Sequence, residues 1–97
     1  MAIIPYGSST LTNTYTATVN TSWTSNSAGY CTKTITVSGI LATDNPIIDL
    51  VTTTSGYKNE MKAWGNIFKI TTAANSITLY ASKATTTSIT IQIKVVR

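Results

Sequence analysis

Apolar and hydroxylated residues alternate through most of this chain. In Thr10–Val19, TLTNTYTATV, one parity holds Leu11, Tyr15, Ala17 and Val19. The other holds Thr12, Thr14, Thr16 and Thr18. That period of two predicts a strand with one buried face. Tyr30–Ser38 repeats it, with Cys31, Ile35 and Val37 on one face and Thr32, Thr34 and Thr36 on the other. Lys33 interrupts the apolar row, which places it near an edge or a strand end. Ile47–Val51 reads as a third strand, with Asp49 between apolar neighbours and turned to water or to backbone donors. Ile67–Thr72 and Ile77–Ala81 form a hairpin around AANS, where Asn75 suits a positive φ. In its second strand Ile77, Leu79 and Ala81 face in, while Thr78 and Tyr80 face out. The closing SITIQIKVVR has the clearest pattern, an apolar row of Ile89, Ile91, Ile93 and Val95 against Thr90, Gln92 and Lys94. This strand is expected to pair within a sheet.

One segment has a different period. In GYKNEMKAWGN, Tyr57, Met61 and Trp64 fall at i, i+4 and i+7, which predicts a short helix around residues 56–65. Ser55 can cap its start and Gly65 can end it. Two to three turns do not persist alone, so the apolar stripe is expected to lie on the sheet, with Trp64 in the core. Asn20–Gly29, Thr52–Gly56 and Lys83–Thr87 read as loops, and Asp44-Asn45-Pro46 is turn chemistry. With no repeat and no linker, the expected organisation is an N-terminal arm, residues 1–9, and a single domain, residues 10–97. The fold class is mainly β, an antiparallel β-sandwich of about six strands with one short α-helix.

Composition sharpens the picture. Ninety-seven residues bound a single domain with a thin core. Charged residues are 10%, against roughly 25% in an ordinary domain, and 42% are hydrophobic. About a fifth are Thr, so hydroxyls rather than ions cover the exterior. The net charge is +4, but the lysines are scattered and form no stripe, which argues against a nucleic-acid partner. No segment approaches the ~20 apolar residues that span a bilayer, and the first residues do not form a secretory leader. The expectation is a protein made in a cytoplasm, without a signal peptide and without membrane insertion. Cys31 is the single cysteine and is expected to be a small buried hydrophobe.

Candidate chemistry is sparse. Asp44, Asp49 and Glu60 are the only acids and there is no His. An acid–base pair needs carboxylates in a shared cleft, and nothing in the pattern builds one. Spacing around Asp44, Asn45 and Asp49 matches no calcium loop. No catalytic, cofactor-binding or metal-binding residue is assigned, no cofactor is expected, and the chain is read as not an enzyme. Trp23, in a polar Ser/Asn/Thr loop, is the one candidate for glycan stacking. Its alternative role is to fold back over one end of the sandwich.

Several stretches together resemble a known family. YCTKTITVSGILATDNPIIDLV, EMKAWGNIFKITTAANSITLYASK and the terminal ITIQIKVVR are similar to the C-terminal domain of head-fibre and tail-fibre type structural proteins from phages and prophages of Gram-positive gut bacteria. The resemblance covers roughly residues 15–97. It implies a virion structural protein on the outside of a head or tail, self-associating as a homotrimer, contacting other virion proteins and serving host attachment. No site residue carries over. The alternative expectation is a carbohydrate-binding module that recognises a host cell-surface glycan. An enzyme reading, a glycan depolymerase, would require two of the three acids to flank one sugar site.

Overall fold

The structure is a computed structural model that describes residues 12–96. The expected arm, residues 1–9, lies outside the described residues. The chain runs β1 (Thr12–Val19), β2 (Thr24–Ser25), β3 (Cys31–Thr36), β4 (Ile47–Val51), α1 (Tyr57–Gly65), β5 (Ile67–Ala73), β6 (Ser76–Ala81) and β7 (Ile89–Val96). Six of these strands match the sequence pattern. The seventh, β2, is a two-residue pairing inside the predicted Asn20–Gly29 loop.

The strands form two antiparallel sheets, one in the order β1-β7-β4 and the other β2-β3-β6-β5. β7 pairs on both sides, from Thr12↔Val96 to Val19↔Ile89 and from Ile47↔Lys94 to Val51↔Thr90. Its apolar row is therefore the floor of the core. Ile91 and Ile93 are fully buried, facing Ile77 and Leu79 of β6 across the sandwich, with Val19, Val37 and Ile40 in the same cluster. Each such aliphatic contributes roughly 1.5–3 kcal/mol relative to exposure. The opposite parity looks outward, and both outer faces are lined by threonines. Cys31 is buried at the head of β3, its sulfur 3.7 Å from Ser25 Oγ. Lys33 does interrupt the inner row near an edge: β2 ends beside Thr32, and the ammonium donates to Asn20 Oδ1 and the Ser22 carbonyl.

Two turns brace one end. Asn75, at φ 61, closes the β5–β6 hairpin as its residue type predicts. Its N–H donates to Ile40 O (2.8 Å), its carbonyl accepts Val37 N–H (2.9 Å), and its Oδ1 accepts Gly39 N–H (2.9 Å). Gly39 sits at φ +98, where a Cβ would lie 3.0 Å from Tyr15 Oη. The dihedral calls for glycine, and a Cβ would also press on the Tyr15 hydroxyl.

The helix departs from expectation. Trp64 packs on the core, but Tyr57 and Met61 are exposed, Met61 at 58%. The buried positions are Glu60 and Ala63. Ser55 makes no cap; Gly56 is the N-cap, and Asn66 rather than Gly65 closes the helix. The reason is Thr53. Its Oγ accepts the Gly56 N–H (3.1 Å), and its own N–H donates to Glu60 Oε1 (2.8 Å). The Thr53 hydroxyl also lies within 3.1–3.2 Å of both Glu60 oxygens. Binding this carboxylate rotates α1 so that Glu60, not Met61, faces inward.

Candidate functional site

The three acids occupy separate places. Asp44 is turn chemistry, as its neighbours predict: its Oδ2 accepts Leu41 N–H (2.8 Å) and its own N–H donates to Leu41 O (3.0 Å). Thr72 Oγ donates to the Ala42 and Asp44 carbonyls and ties the turn to β5. Asp49 is exposed on the outer face of β4, opposite Gln92. Glu60 is buried on Thr53. Among the described residues no three acids, cysteines or histidines gather as metal ligands. Among the described residues no acid lines the cleft of about 480 Å³ between Asn45–Ile48 and Ile70–Thr72 or the one of about 400 Å³ beside α1.

Trp23 is half-buried and packed against the core, and its indole N–H donates to Thr85 Oγ (2.9 Å). Thr85 is itself buried within the predicted polar loop. The geometry is that of the end cover, with one indole edge committed to the β6–β7 loop.

A larger aromatic surface lies elsewhere. On the outer face of the second sheet, Tyr30, Phe68 and Tyr80 meet. The Tyr30 and Phe68 rings are edge to face at 6.0 Å, Tyr30 and Tyr80 are 6.0 Å apart, and Phe68 and Tyr80 6.4 Å apart. Each element delivers one ring. Tyr80 projects outward from β6 by parity, and Tyr30 immediately precedes β3. Phe68 needs a further device. Strict alternation would set it on the inner parity with Ile70, but the pairing slips between Ile67↔Ala81 and Lys69↔Tyr80, and the extra residue turns out. The Lys69 ammonium sits 5.0 Å from the centre of the Tyr80 ring. Beyond the rings the same face continues as hydroxyls, with Thr34, Thr78 and Thr71 in register and Thr34 Oγ 3.0 Å from Thr78 Oγ.

Stability alone does not explain this placement. Phe68 is 60% exposed, so it forgoes the larger part of the about 1.5–3 kcal/mol that full burial returns. Edge-to-face ring contacts return only about 0.5–1.5 kcal/mol. What the arrangement can do is present a fixed apolar platform beside hydroxyl donors and acceptors. Sequence reading missed it because the three rings come from separate segments and the strand order β3-β6-β5 brings them together. The outward parity of Tyr80 was the one legible signal. No protein-family model, curated protein or solved structure matches this chain.

Proposed function

We propose that this chain is a non-enzymatic structural module of a phage particle, displayed on a head or tail, that contacts host-surface glycan through Tyr30, Phe68 and Tyr80. The carrying observation is the aromatic cluster, exposed at Phe68 and half-buried at Tyr30 and Tyr80, set in a threonine-rich sheet face. A pyranose ring has apolar C–H faces and a hydroxyl rim. Stacking matches the first to aromatic rings, and neighbouring hydroxyls match the second. The fibre-protein resemblance of residues 15–97 supports the particle context. The dispersed acids support a binding rather than a hydrolytic role.

This reading moves the glycan contact from Trp23 to the platform. Binding of the labelled chain to purified Gram-positive wall polysaccharide tests it. Phe68→Ala should abolish most of the binding while costing no more than about 0.5–1.5 kcal/mol of stability, the worth of its ring contacts. Retained binding in Phe68→Ala would place the contact elsewhere, and release of reducing ends from the polysaccharide would contradict the non-enzymatic reading.

A further inference from the structure

The cleft of about 400 Å³ beside α1 is lined by Asn59 and Lys62 of the helix and its C-cap Asn66, and by Lys83, Thr86 and Thr87 from the β6–β7 loop, with one alanine from each side. Positions 59, 62 and 66 share one helix face. The opposite wall is held in place. Ser82 N–H donates to Asn66 O (2.9 Å), anchoring the start of the loop to the end of the helix. Three residues on, buried Thr85 accepts the Trp23 indole N–H. With Ser82 and Thr85 pinned, Lys83, Thr86 and Thr87 are left to face the helix. The cleft is thus preformed, and its size falls within the roughly 300–1,000 Å³ of small-molecule sites.

Its chemistry has one sign. Lys62 lines the cleft from the helix side and Lys83 from the loop side, together with two asparagines and two threonines, and no acid contributes. Among the described residues neither lysine has a carboxylate partner. Lys62 has a helical reason for its place, since it complements the carbonyl end of α1. Lys83 has none. The volume is several times that of a bare oxyanion, so an anion alone would leave the amides and hydroxyls without work.

We propose that this cleft binds a phosphate-bearing polyol or sugar unit, with Lys62 and Lys83 on the phosphate and Asn59, Asn66, Thr86 and Thr87 on the hydroxyls. It is separate from the aromatic platform and stands without it. In this arrangement Trp23 is a positioning residue, holding the loop that carries Lys83.

Amide NMR titrations of the ¹⁵N-labelled chain test it, using glycerol phosphate, inorganic phosphate and glycerol at constant ionic strength. Glycerol phosphate should give saturable shifts at Asn59, Lys62, Asn66, Thr86 and Thr87, with inorganic phosphate weaker and glycerol silent. The double variant Lys62→Gln, Lys83→Gln should weaken binding roughly tenfold or more, through loss of charge-assisted hydrogen bonds, while the melting temperature falls by only a few degrees, the worth of Lys62 at the helix end. Non-saturating shifts, equal affinity for inorganic phosphate, or full binding by the double variant would overturn the proposal. So would binding of a thymidine oligonucleotide with no response to glycerol phosphate.

Discussion

A carboxylate that is 7% exposed is a costly interior group unless donors meet it. Glu60 meets the Thr53 N–H and hydroxyl, and that pairing explains both the helix rotation and the absence of a Ser55 cap. Glu60→Ala removes the carboxylate that accepts the Thr53 N–H and hydroxyl. It should cost about 1.5–3 kcal/mol, the net contribution of hydrogen bonding to a charged group, as read by urea denaturation. Glu60→Gln keeps one carbonyl acceptor and should fall between wild type and Ala. A neutral Glu60→Ala would show that the loop before α1 holds without the carboxylate.

At the scale of elements, β7 carries the most. It is the central strand of the first sheet and its inner row is buried throughout. Ile91→Ala should destabilise the chain by about 2–5 kcal/mol in equilibrium unfolding, and a cost below 1 kcal/mol would mean that the two sheets do not share this core. The strands were legible because period-two alternation survives in composition-poor segments, and Asn75 was legible because its residue type tolerates the dihedral its hairpin needs. The helix face was not. Its i, i+4, i+7 apolar stripe set Tyr57 and Met61 on the sheet with Trp64, and gave no sign that a carboxylate would take the inner position. Phe68 was hidden by a bulge, which reverses parity without leaving a glycine or proline to mark it. Trp23 was legible as an exception in a polar loop. Its buried partner Thr85 was not, because nothing distinguishes it from Thr86 and Thr87 in sequence.

For the molecule as a whole, two hydroxyl-lined sheet faces enclose a thin core and leave several large apolar groups outside, among them Ile47, Met61 and Phe68. No described helix is long and apolar enough to cross a membrane. The homotrimer that the fibre-protein resemblance implies gives Ile47 and Met61 a role, since closed symmetric assembly buries apolar surface that a small domain cannot bury alone. Light scattering after size exclusion should therefore return three times the chain mass at micromolar concentration; the mass of one chain would contradict it. If the aromatic cluster takes a saccharide, as proposed, the sequence supplies its own reporter, because Phe68 is the single phenylalanine. With ¹³C-phenylalanine, the ring signals of Phe68 can be followed alone as wall oligosaccharides are added. Those signals should move saturably while the indole signal of Trp23 stays in place. A still Phe68 ring beside a moving Trp23 indole, or no movement of either across the oligosaccharides, would contradict that proposal.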